Sequence, residues 1–225
     1  MPVDPNAAAE ITGFRWVPPM AAGLVRDLRV RWALEEVGVP YRERLLDFQN
    51  IPADYLGEQP FNQVPAFRDG AVQLFETGAI VQYVGDQSEV LVPHNRHARY
   101  RAIGWMYAAL NSVEPALMNL AAIDFFFPDE QWAKLRRPGA EEFVQQKLQR
   151  VADWLGDKEW LEDRFTAGDL MMISVLRILR HTSLVSRRPN LAAYLARGEA
   201  RPAFERALSD QLAAFERHQP QGVAA

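Results

Sequence analysis

The sequence predicts a two-part chain: a mixed α/β sheet covered by helices, then a part built of helices alone. Three observations carry this expectation. Strand-like and helix-like periodicities follow one another as β-α-β-β-β-α up to about residue 86. A linker-like stretch holding Asp86, Ser88, Pro93, His94 and Asn95 comes next, and only helical spacing follows it. The expected division is residues 10–86 and 96–218.

Residues 1–9 carry no periodic signal and are expected to be a disordered lead. Ile11 to Val17 alternates Phe14 and Trp16 with polar neighbours, a strand pattern that Pro18 and Pro19 end. Leu24 to Val37 reads as a helix with two apolar stripes, so it should be covered on more than one face. Asp27/Arg31 and Arg31/Glu35 are opposite charges four residues apart, expected on the face that stays exposed. Gly38 suits a C-terminal cap and Pro40 forbids continuation. Tyr41 to Phe48 gives a second strand. After an irregular stretch from Gln49 to Asn62, Val64–Phe67 and Ala71–Phe75 flank Arg68-Asp69-Gly70, a hairpin signal because Gly accepts positive φ. Thr77 to Val84 is helical. The first β-α-β favours a parallel crossover, and the hairpin adds antiparallel strands.

In the second part Ile103, Met106, Leu110, Val113 and Leu117 recur at helical spacing, with Pro115 expected to kink that helix. Further helices fall near 140–156, 167–180, 189–198 and 201–217. The segment 167–180 is apolar nearly all round and reads as the buried centre of this part.

Composition narrows the class of function. Lys and Arg total 25 against 29 Asp and Glu, a formal net charge of −4 with the two signs interleaved, which argues against nucleic-acid or anionic-membrane partners. The chain has no cysteine, which removes disulfides, thiolate metal sites and a cysteine nucleophile together. The first residues lack the apolar core of a signal peptide, and no apolar run is long enough to span a bilayer. The expected class is a soluble cytoplasmic protein. His94, His97, His181 and His218 lack partners at metal-ligand spacing, so no metal is expected. Phosphate-cradling glycine loops are missing too.

Three local patterns together resemble the cytosolic glutathione S-transferase family. Gln59-Pro60-Phe61-Asn62-Gln63-Val64-Pro65-Ala66-Phe67 is similar to that family's N-P-x-x-x-V-P-x-L segment, with Gln for Asn and Phe for Leu at its ends. Phe75-Glu76-Thr77-Gly78-Ala79-Ile80 is similar to its E-S-x-A-I, with Thr keeping the hydroxyl. Thr166 and Asp169 form a capping-box variant, with Phe165 and Leu170 at the hydrophobic-staple positions, as at the start of the family's central helix. The resemblance covers residues 11–217. It implies a thioredoxin-like N-terminal domain plus an all-α C-terminal domain.

The resemblance also assigns roles. It implies a cis Val64–Pro65 bond, with Val64 presenting its backbone N–H and C=O to the cysteinyl part of glutathione. Glu76 would receive the γ-glutamyl ammonium. Thr77 would donate hydroxyl and N–H to the γ-glutamyl carboxylate at a helix N-terminus. Gln63 matches a position that contacts the peptide, or is a plain surface glutamine. Trp16 walls a pocket in one reading and belongs to the core or an interface in the other. Trp105 and Tyr107 lie on the helix that lines the family's second-substrate pocket, but residues two apart face different ways, so one belongs to the core. Phe125-Phe126-Phe127 is read as packing against neighbouring helices, with a cover over an apolar pocket as the competing reading, Arg136-Arg137 and Arg187-Arg188 as solvated, and Glu141, Glu142 and Asp153 as an outer helix face. A homodimer is implied.

One departure bears on catalysis. The family activates the thiol with Tyr, Ser or Cys near the start of the first helix, yet no Ser, Thr, Tyr or Cys occurs between Gly13 and Pro40. Matching Val30-Arg31-Trp32-Ala33-Leu34 to the family's V-R-x-x-L puts Leu24, Val25 and Arg26 at that position. Backbone N–H groups at Gly23 to Val25 and the cation of Arg26 are the remaining means of lowering the thiol pKa. Arg26 in solvent or paired with an acid is the competing reading. The expected function is conjugation of the glutathione thiolate to a small apolar electrophile, a detoxification chemistry. The alternative is a non-catalytic binding or regulatory protein of the same fold.

Overall fold

The computed structural model describes residues 2–220. Residues up to Leu91, with those from Arg201 onward, form one compact unit, and Val92–Ala200 form a second. The expected boundary puts residues 201–217 with the helical part, whereas by proximity they group with the sheet.

In the first unit β1 (Ala9–Phe14), β2 (Tyr41–Leu46), β3 (Ala66–Asp69) and β4 (Val72–Phe75) form a four-stranded sheet in the order β2-β1-β3-β4. β1 runs parallel to β2, while β1/β3 and β3/β4 are antiparallel, the mixed sheet that the element order implies. Gly70, at φ +57°, makes the two-residue connection between Asp69 and Val72. The lead is not disordered among the described residues. Val3 bridges Tyr41, the Asp4 N–H donates to the Tyr41 carbonyl at 2.8 Å, and the Tyr41 N–H donates to Pro2 at 2.6 Å. An edge strand presents a row of open donors and acceptors, and this segment covers the start of β2.

β1 stops at Phe14 rather than Val17, and α1 (Asp27–Val37) begins three residues after the expected Leu24. A 3-10 turn over Pro19–Ala21 precedes it, and Gly23 at φ +73° keeps 22–26 out of the helix. Gly38 caps α1 in the left-handed region as expected. The Asp27–Arg31 pair is not on an exposed face: both side chains are 1% exposed. α8 (Pro202–Arg217) covers them. Phe204 meets the Trp32 ring edge-on at 4.9 Å, and Gln211 Nε2 donates to Asp27 Oδ1 at 2.6 Å. The expected Arg31–Glu35 pair is not formed, because Arg206 of α8 donates to Glu35 at 2.6 Å and Arg31 turns to Glu43. β1 runs so close below that a Cβ on Gly13 would sit 2.8 Å from Asp27 Oδ2.

The second unit contains α3 (Arg96–Tyr107), α4 (Glu114–Phe126), α5 (Gln131–Leu155), α6 (Ala167–Leu176) and α7 (Pro189–Glu199). Pro115 cannot bond back to the preceding turn, and a π-helical stretch at Ala108–Val113 rephases the chain between α3 and α4. α5 starts before the expected residue 140 and carries Pro138 internally, on an exposed side where solvent can serve the freed carbonyl. α6 is buried throughout except at Ser174, with Phe165 and Leu170 buried beside it. Its capping box is formed: Thr166 Oγ1 accepts from the Gly168 N–H at 3.2 Å, and Asp169 accepts from the Thr166 N–H at 2.9 Å. α3 lies so close that a Cβ on Gly168 would fall 2.6 Å from the Trp105 Cβ. Of the three phenylalanines, Phe125 meets the His181 ring at 4.4 Å and Phe127 lies against Trp132 of α5 at 5.1 Å, while Phe126 is exposed at the end of α4 and departs from the packing expected. Arg137 is solvated as expected, its side chain 41% exposed, but it is also paired: it forks onto Asp124 at 2.7 and 3.3 Å and reaches Glu141 at 2.8 Å.

Candidate functional site

One end of the sheet gathers the residues that the sequence pointed to. β3 pairs Ala66 with Phe75, and extending that register by one step sets Pro65 opposite Glu76. β1 pairs Ile11 with Phe67, which brings the end of β1 to the same edge. The turn before α1 joins them through Val25, which packs against a cluster of Leu46, Tyr55, Val64 and Ala66. Thus Val64, Pro65, Glu76, Thr77 and the turn carrying Arg26 share one edge of one unit.

The Val64–Pro65 bond is cis. The Val64 side chain is buried, while its backbone N–H and C=O take no hydrogen bond from the described residues. Paired donors and acceptors are the rule for backbone near a core, so these two are available to an extended ligand. Across from them α2 (Thr77–Gly85) begins. Its first-turn N–H groups lack intrahelical partners, and the buried Thr77 hydroxyl has no partner among the described residues. Glu76 is exposed and sits at φ +69°, an uncommon conformation for a side-chain-bearing residue and one concentrated at functional positions. A helix start with a free hydroxyl suits an anion, and the neighbouring carboxylate suits a cation.

Gln63 points its side chain outward, but its backbone is clasped on both sides. Gln59 Oε1 accepts from the Gln63 N–H at 3.2 Å and from the Phe61 N–H at 2.7 Å. The Tyr55 hydroxyl donates to the Gln63 carbonyl at 2.8 Å. Thr12 Oγ1 accepts from the Ala66 N–H at 2.6 Å and lies 2.7 Å from the Tyr55 hydroxyl. Sequence reasoning took Gln59 as a departure from a motif and passed over Tyr55 and Thr12. Their partners lie 8 to 54 residues away, beyond any local pattern.

The turn before α1 is anchored from beneath. Arg31 Nε donates to Asp27 Oδ2 at 2.7 Å and Nη1 to Glu43 Oε1 at 2.5 Å. Gln211 also donates to the Val25 carbonyl at 3.3 Å. Burial pushes the Asp27 carboxyl up, and the Arg31 guanidinium only partly offsets it. Arg31 itself is desolvated, but the charges of Asp27, Tyr41 and Glu43 outweigh that and strengthen its hold on the proton. Arg26, half-buried in the turn, accepts through its carbonyl from the Arg29 N–H at 3.1 Å. Trp16 lies against Phe48 at 6.1 Å and lines an apolar cleft of about 200 Å³ with Val17, Pro19, Ala22, Leu212 and Phe215.

Trp105 and Tyr107 belong to the second unit. Trp105 is held in place: its indole N–H donates to Glu162 at 2.7 Å, and its ring stacks on Trp154 at 5.3 Å. Tyr107 is 53% exposed. Also in this unit, Asp124 is bonded by Arg137 and by His181 Nε2 at 3.0 Å. Partial burial raises its carboxyl, but those two partners prevail and hold it below its ordinary value. Among the described residues no group of acids and histidines is arranged to hold a metal ion, and no helix is long and apolar enough to cross a membrane.

Comparison with known proteins agrees with this geometry. Residues 21–86 match the model of the glutathione S-transferase N-terminal domain. A tobacco (Nicotiana tabacum) relative, glutathione S-transferase APIC, is 30% identical over 194 residues, covering 74% of this chain and 87% of its own. A Hyoscyamus muticus glutathione S-transferase is 28% identical over 198 residues, covering 78% and 92%. The Burkholderia graminis glutathione transferase, solved with two glutathione molecules per subunit, is 26% identical and superposes with a TM-score of 0.79 over 89% of this chain and 87% of that one. The chain belongs to the glutathione S-transferase family, with its thioredoxin-like sheet and helical region. Relatives named for that activity support glutathione transferase activity in general.

Proposed function

We propose that the protein binds reduced glutathione along the β3–α2 edge and conjugates its thiolate to a small apolar electrophile. The observation that carries this is the pair of unengaged backbone groups of Val64 facing a helix start with an unpartnered Thr77 hydroxyl. The cysteinyl backbone takes Val64 and rests on Pro65, the γ-glutamyl carboxylate takes Thr77 and the α2 N-terminus, and its ammonium takes Glu76. Gln63 extends beside the peptide. The sulfur meets the turn at 23–26, where the Val25 N–H and the cation of Arg26 favour the thiolate, while the Leu24 N–H expected to help is engaged by the Ala21 carbonyl at 2.9 Å. The thiol proton leaves to solvent. The sulfur lone pair then forms the carbon–sulfur bond as the leaving group departs with its electron pair, and binding both reactants together supplies proximity. The apolar cleft beside Trp16 supports an electrophile site there.

Calorimetric titration with reduced glutathione, beside Glu76→Ala, tests the site. Micromolar to low-millimolar binding that the variant loses is expected, and no binding by the wild type refutes the reading. A second reading, binding without catalysis, draws on the absence of any hydroxyl or thiol side chain between Gly13 and Pro40. The ultraviolet thiolate band of bound glutathione near neutral pH discriminates them: its absence with tight binding still present favours binding without catalysis. A cytoplasmic homodimer is part of the proposal, supported by exposed Phe61 and Phe75 in one unit and Phe126, Trp132 and Leu135 in the other. Light scattering of the purified protein checks the dimer.

A further inference from the structure

The glutathione site proposed above depends on Val64 offering two backbone groups in a fixed direction. We propose that Tyr55 and Thr12 are positioning residues for that site. Their hydroxyls form one hydrogen-bond relay that fixes the backbone on both sides of Val64. This inference rests on the proposed glutathione reading.

Counting hydrogens leaves one arrangement. The Tyr55 hydroxyl has a single hydrogen, and its bond to the Gln63 carbonyl at 2.8 Å consumes it. The Tyr55 and Thr12 oxygens are 2.7 Å apart, so the Thr12 hydroxyl is the donor between them. Thr12 Oγ1 in turn accepts from the Ala66 N–H at 2.6 Å. The relay therefore runs from the Ala66 N–H through Thr12 and Tyr55 to the Gln63 carbonyl. The other choice, Thr12 donating to the Ala66 carbonyl at 3.3 Å, leaves two oxygens in close contact without a hydrogen between them.

Both side chains are 1% exposed, so water does not stand in for either hydroxyl. Phe and Val fill nearly the same space, and the core gains little from hydroxyls as such. What the hydroxyls add is direction. Thr12 is fixed in β1, and Tyr55 in the short 3-10 helix at Ala53–Gly57. Together they hold the carbonyl at one end of the Gln63–Ala66 segment and the N–H at the other. A ligand that pairs with Val64 then meets an edge already ordered, and the cost of ordering it is not charged against affinity. Successive bonds in such a chain also polarise one another, so losing either member weakens the whole.

The test titrates reduced glutathione into the full-length wild type and into Tyr55→Phe, Thr12→Val, Thr12→Ser and the Tyr55→Phe/Thr12→Val double variant, with thermal unfolding of each sample. Glutathione affinity is expected to fall about tenfold in Tyr55→Phe and in Thr12→Val, and to stay within about twofold in Thr12→Ser, which keeps the hydroxyl. The double variant should bind no more than about twofold weaker than the weaker single variant, because both changes break one relay. Folded Tyr55→Phe and Thr12→Val proteins that bind like the wild type overturn the relay alone. Equal losses in Thr12→Ser and Thr12→Val also overturn it, since the hydroxyl would then be irrelevant. If Tyr55→Phe does not fold, the Thr12→Ser and Thr12→Val pair carries the test. A wild type that binds no glutathione overturns both the relay and the function it serves.

Discussion

Replacing Arg31 with Met removes a buried cation bonded to two carboxylates, and the structure sets the size of the effect. Arg31 satisfies Asp27 at 2.7 Å and Glu43 at 2.5 Å, with its own side chain and that of Asp27 each 1% exposed. Met fills the stem's volume but leaves Asp27 with Gln211 as its remaining side-chain donor. Breaking one side of a buried pair costs about 3–5 kcal/mol, mostly as the uncompensated charge left behind. The loss should depend on pH with a definite sign. Burial already raises Asp27, and removing Arg31 removes the largest opposing influence. The folded variant therefore binds a proton that the unfolded chain, with a carboxylate pKa of about 3.9, releases. Its deficit is smaller at low pH and grows as pH rises. Asp210 also faces Arg31 and acts in the same direction. Urea unfolding at pH 5 and pH 8 measures both values. Asp27→Asn/Arg31→Met, which buries no charge at 27, is expected to recover at least about 2 kcal/mol at pH 8. A single variant that loses under about 1 kcal/mol at pH 8, or the same amount at both pH values, refutes the reasoning.

Other perturbations have equally definite outcomes. Glu76→Gly should abolish glutathione binding while raising stability by roughly 0.5–1 kcal/mol, because Gly adopts φ +69° without strain; calorimetry and urea unfolding together check it. Gly168→Ala should destabilise by about 1–3 kcal/mol, since the new methyl meets Trp105 Cβ at 2.6 Å and the Ala102 carbonyl at 3.1 Å. Burial lifts the Asp169 carboxyl to about 6, against its four donors. Its contribution to stability is thus full below about pH 4 and lost as pH rises through about 6, by up to roughly 3 kcal/mol. The wild type's advantage over Asp169→Asn should shrink between pH 4 and pH 7, and an advantage that grows would mean the donors keep the group ionised.

What the sequence revealed was local in origin. The Asp69-Gly70 turn, the Gly38 cap and the Thr166/Asp169 capping box each depend on a few adjacent residues, and each stands where the pattern put it. The spacing of Asp27 and Arg31 was legible too, but not their burial, because the helix that covers them comes from about 170 residues further on. Gln211, Tyr55 and Thr12 escaped for the same reason: a glutamine on an amphipathic helix and a tyrosine in an irregular stretch carry no periodic mark. Val64, Pro65, Glu76 and Thr77 were readable through a resemblance rather than through chemistry. Nothing in their types alone says that an antiparallel register sets Pro65 opposite Glu76.

The last helix has a consequence for how the chain comes to life on the ribosome. Trp32, Asp27 and Glu35 of α1 find Phe204, Gln211 and Arg206 on a segment made after the entire second unit. While the first 91 residues emerge, the face of α1 that α8 will cover stays open, with its buried carboxylates unshielded. The sheet unit is therefore completed only when translation is nearly over. A fragment ending before Arg201 should behave as an unfinished domain, prone to self-association, and adding back a peptide of residues 201–220 should rescue it.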